Sequence, residues 1–71
     1  MTPKERGLLT GMGNCYAACR ASLEETLEMV GGSRGVSSEE VRAMLIEIRE
    51  KHGKDDEYRR LRSMFPDSFP V

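Results

Sequence analysis

The spacing of apolar side chains predicts a long first helix. The segment Thr2-Pro3-Lys4-Glu5 is typical of a helix start, with an N-cap, a proline and a glutamate in the expected order. Apolar or thiol residues then recur at steps of three and four, as one helical face requires: Leu9, Met12, Tyr16, Cys19, Leu23 and Val30. Thr26 is the one polar residue in this seam, and Gly31-Gly32 is a helix stop. The pattern predicts one helix over about residues 3–30.

Glycines near the start of this helix leave a second interpretation open. Gly7, Gly11 and Gly13 each disfavour a helix by up to ~1 kcal/mol relative to alanine. Asn14 is a good N-cap residue, so the helix could begin there instead. In a continuous helix a stripe of small residues would allow another helix to approach closely: Gly7, Gly11, Cys15, Ala18 and Ser22. We predict the continuous helix.

The second helix is the most clearly marked element. Ser37 and Glu40 have the spacing of a capping box, and Val36 and Val41 have that of a hydrophobic staple. These signals predict a helix over about residues 38–52. Its predicted buried face comprises Val41, Met44, Leu45 and Ile48.

A short third helix and a tail complete the predicted fold. Three consecutive acidic residues suit the positive end of a helix dipole, and they predict a helix over about residues 55–65. Its apolar side comprises Tyr58, Leu61, Met64 and Phe65. Pro66 ends it, and prolines bias the following tail towards an extended backbone. We therefore predict one all-α domain over residues 1–71: a helical hairpin, a short third helix and an extended C-terminal tail.

Composition favours a folded chain that needs extra stabilisation. The 71 residues are 38% hydrophobic and 32% charged, and they include no tryptophan. Domains this small often depend on a metal, a disulfide or a partner chain. The formal net charge of −1 counts against a strong nucleic-acid binder. No signal peptide and no apolar run of ~20 residues is apparent, so we expect a cytoplasmic protein without membrane association.

The residues with chemical potential do not form a recognisable catalytic, metal or cofactor site. Cys15 and Cys19, four residues apart on a helix, would have Cβ atoms about 6 Å apart. A disulfide needs about 3.8 Å. We interpret both as packing residues, with an oxidised cross-link between two copies as the alternative. A zinc site needs two more ligands, and His52, the only histidine, is expected to stabilise a helix end. We predict no enzyme activity, no bound metal and no cofactor.

The predicted first helix is too long for the second to cover. It would extend about 42 Å, against about 22 Å for its neighbour. Leu9, Met12 and Tyr16 would then face water unless a second copy covered them. Gly7 and Gly11 would let two such helices cross closely. We therefore predict a homodimer that forms through these residues.

The third helix and tail are the predicted surface for another protein. The candidate residues are Tyr58, Arg59, Arg62, Phe65 and Phe69. Methionines are frequent on adaptable binding surfaces, and four internal ones favour a methionine-bearing groove: Met12, Met29, Met44 and Met64. The hypothesis is a homodimeric interaction module that inhibits or adapts a partner protein.

The alternative hypothesis is a nucleic-acid-binding regulator that uses the arginines of the third helix. Arginine suits bidentate contacts with phosphate, which favours this surface. The acidic residues at the start of the same helix lie three or four positions earlier, where we expect them to neutralise the arginines. Nucleic acid is therefore the second choice of partner.

Overall fold

The protein folds into four α-helices over residues 1–20 and 22–64, which the computed structural model describes. These are α1 (Pro3–Cys19), α2 (Leu23–Arg34), α3 (Ser38–His52) and α4 (Asp56–Met64). The prediction of an all-α fold is confirmed. Helix α2 packs against both α1 and α3, and α4 contacts α1. In the described part of the chain, no helix has both the length and the apolar character needed to cross a bilayer.

The prediction of a single long first helix is wrong, because the helix ends at Cys19 and a second helix begins at Leu23. Arg20 takes the left-handed conformation, with φ at 50°, and ends α1. Ser22 then caps α2, its hydroxyl accepting a hydrogen bond from the Glu25 amide at 3.2 Å. Ser22 and Glu25 repeat the Ser-x-x-Glu pattern of Ser37 and Glu40, so the sequence did carry this signal. The longest dimension of the molecule is 27 Å, too short for a continuous helix.

The alternative helix start at Asn14 is also wrong, because the glycine-rich segment is helical throughout. Thr2 caps α1 through a reciprocal pair of hydrogen bonds. Its hydroxyl accepts from the Glu5 amide at 3.2 Å, and its own amide donates to the Glu5 carboxylate at 2.8 Å. A Cβ atom on Gly11 would lie 3.5 Å from the Arg34 guanidinium, so this glycine faces the end of α2 rather than a second copy.

Helix α2 continues beyond its predicted stop. The pair Gly31-Gly32 lies inside the helix, and Gly35, with φ at 73°, ends it. The amides of Gly35 and Val36 donate to the carbonyls of Gly32 and Gly31 at 3.3 and 2.9 Å. These bonds close a tight turn that brings the chain directly into α3.

The remaining two helices lie close to their predicted ranges. Ser37 caps α3 by accepting from the Glu40 amide at 3.2 Å, and the helix covers the predicted residues. Helix α4 begins and ends one residue inside its predicted range. Phe65 and the predicted extended tail lie outside the described residues.

One hydrophobic core joins the four helices. The buried apolar residues in the described chain are Leu8, Leu9, Met12, Leu27, Val30, Val41, Leu45, Ile48 and Tyr58. The seam pattern missed Leu8, which lies beside the predicted seam of α1, and it missed Leu27 because a new helix starts after Ser22. Thr26 is fully buried, and its hydroxyl donates to the Ser22 carbonyl at 2.9 Å. The polar residue in the seam is therefore accommodated by a local hydrogen bond.

Two exposed ion pairs connect neighbouring helices. Arg6 of α1 binds Glu57 of α4 through two hydrogen bonds, at 2.9 and 3.1 Å. The bond from Arg6 lowers the pKa of Glu57, and the Glu57 carboxylate raises the pKa of Arg6. Arg42 of α3 pairs with Glu24 of α2. Because all four side chains are substantially exposed, these pairs orient the helices more than they stabilise the fold.

Candidate functional site

An open groove lies between the start of α1, the end of α2 and the middle of α3. Its volume is about 730 Å³, within the range of roughly 300–1,000 Å³ that is typical of ligand-binding clefts. Its apolar residues, which are buried or half-buried, form the floor: Leu8, Val36, Met44 and Ile48. Its polar residues, which are mostly exposed, form the rim: Thr2, Lys4, Glu5, Ser33, Arg34 and Glu47.

The two acidic residues of the rim already have partners. The carboxylate of Glu5 accepts from the Thr2 amide, and this hydrogen bond, the largest influence, lowers the pKa of Glu5. The carboxylate of Glu47 lies 2.9 Å from the Lys51 ammonium, one helical turn further along α3. The Glu47 charge is therefore compensated by a cation, whereas Glu5 is engaged by a neutral amide.

The two basic residues of the rim, Lys4 and Arg34, have no charged partner in the described part of the chain. Arg34 donates to the carbonyl of Gly7 at 3.2 Å, which is a neutral partner. Among residues 1–20 and 22–64, no carboxylate lies within 4.0 Å of the Lys4 ammonium or the Arg34 guanidinium. The rim therefore presents uncompensated positive charge beside an apolar floor.

The predicted self-association residues do not form an exposed surface. Leu9 and Met12 are 1% and 0% exposed within one copy, so the prediction that they face a second copy is wrong. The physical reason is the break at Arg20, which lets α2 fold back over α1. Gly7 is exposed and Tyr16 is half-buried, whereas Gly11 faces α2.

The predicted partner-binding residues also separate into different environments. Tyr58 is 2% exposed and belongs to the core, so its assignment to a binding surface is wrong. Arg59 is exposed and Arg62 is half-buried. Phe65 and Phe69 lie outside the described residues.

Two acidic residues around the start of α4 have partners outside that helix. Asp55 lies 2.9 Å from Nδ1 of His52, and Glu57 is held by α1. Glu57 still interacts with one of the arginines, because its pKa is lowered first by the hydrogen bond from Arg6 and further by the Arg60 charge. Arg59 and Arg60 are exposed, and no carboxylate in the described ranges lies within 4.0 Å of either guanidinium. His52 also lies 3.5 Å from Glu5, which ties the end of α3 to the start of α1.

The two cysteines lie on the same side of the last turns of α1. Cys15 is half-buried against the core, but Cys19 is exposed, so the interpretation of Cys19 as a packing residue is wrong. Their Sγ atoms are 3.9 Å apart. Burial raises the pKa of the Cys15 thiol, and the neighbouring Cys19 thiol raises it further. Over the described ranges, no three side chains of His, Cys, Asp or Glu cluster as metal ligands would.

The chain was compared with known protein families, with curated proteins and with solved structures. Nothing matches. The groove, the exposed arginines and the thiol pair are therefore the features from which a function must be inferred.

One signal in the sequence pointed towards the groove. Met44 belongs to the group of methionines that favoured a binding groove, whereas Val36 was predicted only as part of the staple at the start of α3. Leu8 gave no such signal, because it lies outside the seam predicted for α1. The groove combines segments that are distant in sequence, so only the helix packing brings its walls together.

Proposed function

We propose that this chain is a small helical protein–protein interaction module that binds and modulates a partner protein. The occupant of the groove in this proposal is an amphipathic helix of the partner. The apolar floor is the observation that carries the proposal, because such floors accept residues at i, i+3 or i+4, and i+7 of a helix. Met44 is half-buried in this floor, and its flexible thioether adapts to differently shaped side chains.

The charges on the rim of the groove indicate which charge the partner helix should carry. Glu47 is paired with Lys51, whereas Lys4 and Arg34 lack carboxylate partners in the described ranges, so the rim carries more positive than negative charge. A partner helix with an acidic residue beside its apolar face would compensate this charge. We therefore propose an acidic, amphipathic helical segment as the ligand.

The polar groups around the groove favour a peptide over a small molecule. Small-molecule sites usually hold a few buried polar groups aimed at the ligand. In the described residues, every buried side-chain nitrogen or oxygen already has a hydrogen-bond partner. The groove therefore offers apolar contact and rim charge, which are the terms that select an amphipathic helix.

The absence of catalysis, the cellular location and the oligomeric state in this proposal are inferred from the sequence. We propose binding rather than catalysis, without a cofactor, in a cytoplasmic setting where the cysteines stay reduced. Occupation of the groove would modulate the partner by withholding its helix from other contacts. A homodimer is also part of the proposal, but its interface cannot include Leu9 and Met12, which are buried.

Peptide titration tests the groove directly. The probes are two amphipathic peptides of about 18 residues, identical except that one carries Glu and the other Lys beside the leucine face. We expect the Glu peptide to shift the backbone NMR signals of Val36 and Met44 and to bind at least about tenfold more tightly. Shifts confined to other surfaces, or none at millimolar peptide, would contradict the proposal.

A matched pair of charge reversals separates the groove from general electrostatics. Lys4→Glu is expected to abolish the preference for the Glu peptide, because it removes one of the two uncompensated rim charges. Arg20→Glu makes the same charge change at the opposite end of α1, and the preference is expected to remain. An equal loss in both variants would show that net charge, not the groove, governs binding.

Nucleic-acid binding is the second candidate, and the arrangement of α4 favours it. Because Asp55 and Glu57 bind His52 and Arg6, the exposed Arg59 and Arg60 are available for phosphate contacts. The net charge of −1 keeps this candidate second.

Heparin chromatography tests this candidate. If the arginines bind phosphate, the chain should be retained at low salt and released only at high salt. The double variant Arg59→Gln, Arg60→Gln should then elute earlier, whereas Arg20→Gln should not. Passage of the unmodified chain through the column at low salt would exclude the candidate.

A further inference from the structure

The thiol pair at the end of α1 has the geometry of half a metal site. Cys15 and Cys19 lie one helical turn apart, with their Sγ atoms separated by 3.9 Å. A disulfide bond would require about 2.05 Å, so the pair is suited to bridging through a third atom. Cys19 is exposed and Cys15 is half-buried, which leaves the pair accessible from one side.

The sulfur separation is close to the value that tetrahedral coordination of one ion by both thiolates requires. Zinc binds thiolates at about 2.3 Å, and two sulfurs of a tetrahedral site are then about 3.8 Å apart. Linear two-coordinate binding at the same bond length would need about 4.6 Å. The observed 3.9 Å fits the tetrahedral case with almost no side-chain movement.

We propose that two copies of the chain share one zinc-class divalent ion, each copy supplying Cys15 and Cys19. A tetrahedral ion needs four ligands, and the described residues offer no third ligand near the pair. The only histidine, His52, lies 3.5 Å from Glu5. Glu5 is about 15 Å along α1 from Cys15. A symmetric second copy supplies two more thiolates from the same surface.

The surroundings of the pair permit this arrangement. Ala18, which lies on the helix face beside the two cysteines, is exposed and small, so it does not obstruct a second α1. Arg20 follows directly, and one such cation from each copy would offset the charge of a four-thiolate centre. The interface lies at the opposite end of α1 from the groove, so it is independent of partner binding there.

The binding step is a proton exchange without oxidation or reduction. Four thiols release four protons to solvent, and one divalent ion forms four metal–sulfur bonds. The product carries a net charge of −2 at the centre. The core residues Leu9 and Met12 remain buried in each copy, which the earlier predicted dimer would not have allowed.

Cobalt titration of the full chain tests the site. Co²⁺ is the probe, used without oxygen and with a phosphine reductant, because its visible absorption reports tetrahedral thiolate ligands. We expect the absorption to saturate at one ion per two chains, the mass from light scattering to double, and excess Zn²⁺ to remove the colour. A monomeric 1:1 complex, a mass independent of metal, or no tetrahedral spectrum would each overturn the proposal.

Substitution of each cysteine tests whether its thiolate binds the metal ion. Cys19→Ser changes an exposed side chain, so the helical circular dichroism should persist while the tetrahedral spectrum and the doubled mass are lost. Cys15→Ser should give the same loss. His52→Ala is the matched control and should leave the metal stoichiometry unchanged. A persistent tetrahedral spectrum in Cys19→Ser, or its loss in His52→Ala, would show that other residues bind the metal.

Discussion

Gly31→Ala is expected to destabilise the fold by about 2–3 kcal/mol, whereas Gly32→Ala is expected to stabilise it by up to about 1 kcal/mol. A Cβ atom on Gly31 would lie 2.6 Å from the Val36 carbonyl oxygen, and 3.2 Å from the Ser37 carbonyl oxygen. Both are backbone atoms of the turn into α3, so they cannot move aside without displacing that helix. A Cβ atom on Gly32 would meet nothing within 4 Å.

Urea unfolding followed by circular dichroism measures this difference. Both glycines lie in α2 and both changes add one methyl group, so helix propensity favours alanine equally in each variant. Any difference between the variants therefore reports the contact between α2 and the turn into α3. Similar unfolding midpoints for the two variants would mean that the close approach at Gly31 is absent in solution.

Met12→Lys is expected to unfold the protein, whereas Met29→Lys is expected to change its stability by about 0.5 kcal/mol or less. Met12 is fully buried, so an ammonium placed there would lack water and a counter-ion. The expected loss of at least about 4 kcal/mol equals or exceeds the lower end of the roughly 4–10 kcal/mol that a chain of this length has available. Met29 is 42% exposed, so its replacement reaches solvent.

Circular dichroism and light scattering on the same samples distinguish two causes. A buried Met12 predicts loss of helical signal in Met12→Lys, with Met29→Lys still helical and of unchanged mass. If Met12 instead faced a second copy, Met12→Lys would remain helical and only its mass would fall. The experiment therefore separates a core residue from an interface residue.

Local signals in the sequence predicted the helices well where a single pattern was present. The cap at Ser37 and the apolar spacing after it placed α3 correctly, because capping and periodicity agreed there. The same cap pattern at Ser22 was overlooked, since the apolar seam continues across it at helical spacing. A seam that continues through a turn cannot be distinguished by periodicity alone from one long helix.

The surfaces were harder to predict than the helices, and the error at Arg20 is the reason. One unrecognised left-handed residue turned a buried pair, Leu9 and Met12, into a predicted interface. It also concealed the groove, whose walls meet only after α2 has folded back. Met44 lines this groove, but Met12, which the same reasoning assigned to a binding groove, is buried in the core.

The groove has walls from three separate parts of the chain, and this links its occupancy to the amount of native protein. Residues 2–8 meet residues 33–36 and 44–48 only in the native state, so a groove ligand binds that state alone. A ligand present at one hundred times its dissociation constant would add about 2.7 kcal/mol to stability. In a cell, where unfolded chains are degraded, the abundance of this protein would therefore rise and fall with the concentration of its ligand.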